Sequence, residues 1–121
     1  ISDNDFRNDE GMFMQTSINL KILKMRNCSL EKIDIFFFST FGLLEYLDLS
    51  YNKIKEISTG YVFFINLLNL SHNNISSFLN LYTSFLTLDL SFNNLTSISL
   101  LSIHNLLLNN NNLEIIFCNI N

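Results

Sequence analysis

An α/β-type solenoid is the fold class this sequence predicts, with a parallel β-sheet on one side and short, mostly non-helical segments returning along the other. Three observations predict it. One eleven-residue pattern recurs five times within 121 residues. Inside that pattern two apolar residues flank one polar residue, the period of a strand with one buried face. Successive copies start only 24, 21, 20 and 18 residues apart. In the later copies that leaves four to six residues between the last core position and the next strand. A helix usually needs at least two turns, so extended or single-turn return segments are expected there.

The copies run Leu20–Leu30, Leu44–Ile54, Ile65–Ile75, Phe85–Leu95 and Ile103–Leu113. Each reads L-x-x-L-x-L-x-x-N-x-L. The fourth and sixth residues point the same way on a strand, into the core, and the residue between them points out. A further apolar residue follows three places after each copy: Ile33, Ile57, Phe78, Ile98 and Ile116. The ninth residue is Cys28, Asn52, Asn73, Asn93 and Asn111 in turn. It falls where the chain leaves the strand. A carboxamide there can donate to and accept from backbone groups that would otherwise be buried and unpaired. Stacked copies would line these residues up as a ladder.

The pattern resembles the leucine-rich-repeat family over residues 20–116, as five repeats starting at 20, 44, 65, 85 and 103. The resemblance implies a horseshoe segment with its parallel sheet on the concave side, and non-catalytic recognition of another protein. It also allows Cys28 in place of the first ladder Asn. The run Phe38-x-x-Phe41-x-x-Leu44 fits the longer, extracellular type of repeat. Residues 1–19 read as the end of a preceding repeat or an N-terminal flank, and 117–121 as a truncated C-terminal flank. Stacked repeats need polar caps, and neither end carries a Cys-rich one, so an excerpt of a larger solenoid is expected. The short irregular repeats and Asn-rich surface are similar to arrays in insect Toll-type receptors and insect leucine-rich immune proteins. That likeness implies a secreted or cell-surface ectodomain of a receptor or innate-immunity glycoprotein. The alternative is an intracellular structural or scaffold repeat protein from an A/T-rich genome, since the chain has no Ala, Pro or Trp and a single Val, Val62.

Composition narrows the partners. The net charge is −4, which argues against nucleic acid, a ligand that needs a basic face. All seven Lys and Arg lie between Arg7 and Lys55; from Ile57 on, only Asp89 and Glu114 are charged. The charge-poor half is still no candidate for direct membrane insertion, because Asn interrupts every apolar run and a span needs about 20 mostly apolar residues.

No catalytic, cofactor or metal site is predicted. Ser71, His72 and Asp89 could meet on paper across neighbouring strands, but nothing resembles a nucleophile elbow or an oxyanion loop. Cys28 and Cys118 lie four repeats apart, too far for a disulfide or a shared ligand set. Recognition is expected on the concave face, where the outward columns offer Lys24, Arg26, Tyr46, Asp48, Tyr51, His72, Asp89 and Phe92. Tyr51, His72 and Phe92 would stack as an aromatic stripe, serving either as interface anchors or as packing that stabilises the sheet. Sequons at Asn27, Asn74 and Asn94 are candidate N-glycosylation sites. Nineteen Asn and twenty Ser or Thr give about three sequons by chance, so the count decides nothing. The run from Phe78 to Ser84 carries more apolar residues than so short a connector can bury. Leu79, Leu81 and Tyr82, with Phe92, are therefore expected to meet another chain or another segment of the parent, or to drive self-association; the alternative is that the solenoid's irregular back absorbs these side chains into its own core.

Overall fold

The structure, a computed structural model, describes residues 20–58, 63–80, 83–100, 103–113 and 115–117. Each copy of the pattern contributes one strand: β1 (Ile22–Lys24), β3 (Tyr46–Asp48), β5 (Phe63–Asn69), β7 (Thr83–Asp89) and β9 (Ile103–Leu107). These form a five-stranded parallel sheet in the order β1-β3-β5-β7-β9. The register pairs like with like. The third residues align as Ile22, Tyr46, Leu67, Thr87 and Asn105, and the fifth as Lys24, Asp48, Asn69, Asp89 and Leu107. Repeats of unequal length thus stack without slippage on this face.

The return legs absorb the difference in length. The first and longest repeat returns through β2 (Lys32–Asp34) and a 3-10 helix, Ile35–Thr40. The later legs are strands: β4 (Glu56–Ser58), β6 (Ser77–Asn80), β8 (Ser97–Leu100) and β10 (Ile115–Phe117). The sequence predicts extended or single-turn legs; the structure adds that they hydrogen-bond to one another. β2 pairs with β4, and β6, β8 and β10 form a separate three-stranded sheet. Only two residues separate β6 from β7 and β8 from β9. Lys32 and Glu56 face each other across β2 and β4 at 3.6 Å, but both are about three-quarters exposed. Such a pair contributes ~0–1 kcal/mol, and the backbone ladder and core dominate.

The core is a set of columns running from repeat to repeat. Leu23, Leu47, Leu68 and Leu88 form the fourth-residue column; Met25, Leu49, Leu70 and Leu90 the sixth; Leu30, Ile54, Ile75 and Leu95 the eleventh; all are buried. Ile33, Phe78 and Ile98 close the core from the return side. Ile35, Phe38 and Phe41 fill the wider first turn of the solenoid, with Phe37 edge-on to both Phe38 and Phe41 at 5.1 and 6.0 Å. Each fully buried side chain of this size contributes ~1.5–3 kcal/mol. Cys28 is buried, and its Sγ donates to the Arg26 carbonyl at 3.3 Å. Cys118, residues 1–19 and 118–121, Leu81, Tyr82 and the side chain of Leu79 lie outside the described residues.

The ninth residues form the ladder. Asn52 Oδ1 accepts from the Cys28 and Leu30 amides at 2.8 and 3.2 Å. Asn73, Asn93 and Asn111 Oδ1 accept from Ile54, Ile75 and Leu95 N–H at 2.9, 3.0 and 2.9 Å. Each Nδ2 donates to the sixth-residue carbonyl of its own repeat and of the one before: Asn73 to Leu70 and Leu49, Asn93 to Leu90 and Leu70, Asn111 to Leu108 and Leu90. Cys28 has no carboxamide; its N–H donates to Asn52 Oδ1 and its Sγ to the Arg26 carbonyl.

Replacing Asn73 by Ala leaves the buried Ile54 N–H without an acceptor, whereas the Leu49 and Leu70 carbonyls keep Asn52 and Asn93. Asn73→Ala should therefore cost ~1–3 kcal/mol, and Asn74→Ala, at an exposed position, under ~0.5 kcal/mol. Equal denaturant midpoints for the two variants would contradict this ladder.

Candidate functional site

The five-stranded face is built from side chains that the strand period turns away from the core. On it Ile22 and Leu107 are 58% and 45% exposed, unusual for apolar residues in single file with polar ones. Tyr46, Leu67 and Thr87 are half-buried between them, and Asn105 is exposed. Lys24 is exposed at the first strand, its Nζ 5.8 Å from the centre of the Tyr46 ring.

Beyond each strand the chain turns, and in the three middle repeats the seventh residue turns inward, whereas Arg26 and Asn109 stay exposed. Ser50, Ser71 and Ser91 are buried. The fifth residue caps this turn. Asp48 Oδ1 accepts from Ser50 N–H at 3.0 Å and from its hydroxyl at 2.6 Å. Asp89 holds Ser91 with the same two distances, and Asn69 Oδ1 accepts from Ser71 N–H at 3.0 Å. Asp48 was expected among the outward, partner-contacting residues. It is instead buried, with one carboxylate oxygen spent on Ser50 and the other 4.0 Å from Arg26 Nε. Its place is structural. Asp89, with the same cap, is only half-buried.

The eighth residues depart further from expectation. They lie not on the strands but in the turn, with left-handed backbone: Asn27, Tyr51, His72, Phe92 and Asn110 have φ of 54, 58, 56, 55 and 58°. Asn and His tolerate this region better than most residues, whereas Tyr and Phe seldom occupy it. Each such residue costs ~1–3 kcal/mol unless its surroundings hold it. Two things hold it here. The Tyr51, His72 and Phe92 amides donate to the Ser71, Ser91 and Asn109 carbonyls of the next repeat at 3.1, 3.1 and 2.8 Å. Their rings also stack: Tyr51 on His72 at 4.2 Å and 8°, His72 on Phe92 at 4.3 Å and 9°. Arg26 caps the pile with its guanidinium carbon 5.0 Å from the Tyr51 ring centre. A stacked aromatic pair is worth ~0.5–1.5 kcal/mol beyond its burial, so the two stacks offset part of the strain. The packing expected of the stripe is present. The rings pack on one another, yet Tyr51 and Phe92 remain 44% and 47% exposed.

The structure brings Lys24, Arg26, Tyr46, Tyr51, His72, Asp89 and Phe92 onto one side. It joins no two of the Ser71, His72 and Asp89 side chains by a hydrogen bond, and both faces of the His72 ring are covered by Tyr51 and Phe92. Among the described residues, no three His, Cys, Asp or Glu side chains are grouped so as to share a metal ion, and no helix is long and apolar enough to cross a membrane. Asn27, Asn74 and Asn94 are all exposed.

The left-handed turn makes a separable prediction. Tyr51→Val and Tyr51→Asn both abolish stacking on His72, but only Val is penalised at positive φ. Tyr51→Val should be the less stable of the two by ~1–2 kcal/mol in denaturant melts; matching midpoints would remove the strain from the account.

A leucine-rich-repeat family model matches residues 18–75, and a second matches residues 84–106, about two thirds of the chain between them. No curated protein and no solved structure matches it. Leucine-rich repeats generally serve as non-catalytic modules that bind other proteins. Repeat pattern, parallel solenoid, Asn ladder and family matches agree, and the chain is a leucine-rich-repeat protein.

Proposed function

We propose that this chain recognises another protein through its five-stranded face, as part of an extracellular receptor or immune protein. The observation that carries the binding face is the Tyr51–His72–Phe92 stack. It holds three aromatic residues in a strained conformation and leaves the two outer ones nearly half exposed. Rigid, partly exposed aromatic groups are the usual anchors of protein interfaces. Ile22, Tyr46, Leu67 and Leu107 extend the anchor into an apolar strip, with Lys24 and Arg26 at one end. The extracellular placement rests on the longer first repeat with its Phe38 and Phe41 filling, and on exposed sequon residues Asn74 and Asn94, two positions past the eighth-residue rings. Carbohydrate there would not obstruct the strip, whereas carbohydrate on Asn27 would sit beside Tyr51 and Arg26.

The test compares capture of secreted proteins by the immobilised native chain, by Tyr51→Ser with Phe92→Ser, and by Glu31→Ser with Lys55→Ser away from the face. Loss of the captured set with the first pair alone is expected, at a cost of about tenfold or more in affinity for any partner anchored there. Capture unchanged by the first pair would overturn the reading. The product of secretory expression should carry glycans at Asn74 or Asn94 by mass; unmodified secreted chain would count against the extracellular placement.

A further inference from the structure

The stack carries a guanidinium at one end; at the other, among the described residues, neither a ring nor a cation stacks on the far side of Phe92, which is 47% exposed. At the first end Arg26 does two things at once: its guanidinium lies 5.0 Å from the Tyr51 ring centre, and its Nε is 4.0 Å from Asp48 Oδ2. Asp48 and Tyr51 are the fifth and eighth residues of their repeat. Asp89 and Phe92 are the fifth and eighth residues of theirs, and the two repeats match in detail. Asp89 holds Ser91 as Asp48 holds Ser50, at 2.6 and 3.0 Å, and Phe92 has φ of 55° where Tyr51 has 58°.

The cation is missing from the second set. No Lys or Arg follows Lys55 in the chain, and among the described residues neither an ion pair nor a hydrogen bond reaches Asp89 Oδ2. Arg26 is three strands away, ~14 Å at the spacing of a β-sheet, beyond the ~8 Å over which exposed charges act at physiological salt. One face of the Phe92 ring carries His72. The other looks toward the last repeat, whose seventh and eighth residues, Asn109 and Asn110, are short and exposed. Beside Asp89 in the sheet stands Leu107, 45% exposed, an apolar rest for an aliphatic stem.

From this repeated geometry we infer that Asp89 and the outer face of Phe92 form an arginine-accepting site, and that the protein bound on the five-stranded face presents a guanidinium there. The site rests on that face being the recognition surface. An incoming guanidinium does at Asp89 and Phe92 what Arg26 does at Asp48 and Tyr51, approaching from the opposite side of the ring because His72 fills the near one. A guanidinium suits this pair better than an ammonium. It is planar, stacks on a ring, sheds water more readily and still offers donors to the carboxylate.

The experiment uses the whole chain and small probes, so that it does not depend on finding the partner. N-acetyl-arginine amide, its neutral isostere N-acetyl-citrulline amide and N-acetyl-lysine amide are titrated while the Phe92 ring and the Asp89 and Ser91 amides are followed by NMR. Arginine should give saturable shifts there, with an affinity at least about tenfold above that of citrulline and clearly above that of lysine. Asp89→Asn should abolish the preference without unfolding, since Asn69 already fills this column and caps Ser71 in the neighbouring repeat. Phe92→Leu should weaken arginine severalfold and erase its advantage over lysine. Equal shifts from arginine and citrulline, parity with lysine in the native chain, binding indifferent to Asp89→Asn, or no shift up to about 100 mM would each overturn the site. A negative result with the probes, beside capture that still depends on Tyr51 and Phe92, would remove the arginine site and leave the recognition face standing. Arginine binding without such capture would do the reverse.

Discussion

One carboxamide per repeat is the constraint on which the rest of this structure depends. A chain that leaves a buried strand must turn, and the turn strands backbone N–H and C=O groups inside the solenoid. Unpaired, each would cost ~1–3 kcal/mol. The ninth-residue Asn answers with one oxygen and two hydrogens. Its oxygen takes the eleventh-residue amide of the repeat before; its hydrogens take the sixth-residue carbonyls of both repeats. Because each Asn bonds across the repeat boundary, the ladder fixes axial register as well as local shape. That is why repeats of 24, 21, 20 and 18 residues align residue for residue on one face while their return legs range from a 3-10 helix to a bare strand.

The functional surface is a by-product of the same turn. With the ninth residue pinned inward, the eighth is forced to positive φ in every repeat. Asn would fill that position at little cost, and does so in the first and last repeats. Between them the chain carries Tyr51, His72 and Phe92, and stacking across rungs repays part of the strain. Strands ~4.8 Å apart bring the rings to 4.2 and 4.3 Å, so the solenoid's own repeat distance suits aromatic contact. The result is a stiff row of ring edges at the margin of the sheet, with little rotamer freedom left to lose when a partner arrives.

The fold was legible in the sequence because its determinants are single residue types at fixed spacing. Leu47, Leu68 and Leu88 announce a strand face by period, and Asn52, Asn73, Asn93 and Asn111 announce the turn by identity. The site was legible only as a set of columns. Nothing in Tyr51, His72 and Phe92 signals positive φ, since that conformation is imposed by the neighbouring ladder residue. Nor could the pattern separate Asp48 from Asp89. The two have the same place in their repeats and the same Ser two residues on, and differ only in that Arg26 lies one strand from Asp48. Pairing between return legs was also hidden, because β6 does not alternate and the four-residue alternation of β8 names no partner strand.

Native-state hydrogen exchange at the eleventh-residue amides tests the central claim most directly. Ile54, Ile75 and Leu95 N–H have an Asn side-chain oxygen as their acceptor, whereas Leu49, Leu70 and Leu90 N–H bond to backbone carbonyls of the next repeat. If the carboxamide ladder holds the solenoid, the first three amides should be protected to the same degree as the second three, since both open only when repeats separate. Exchange of Ile54, Ile75 and Leu95 at the rate of exposed amides, with Leu49, Leu70 and Leu90 still protected, would show that the repeats are held by the sheet alone.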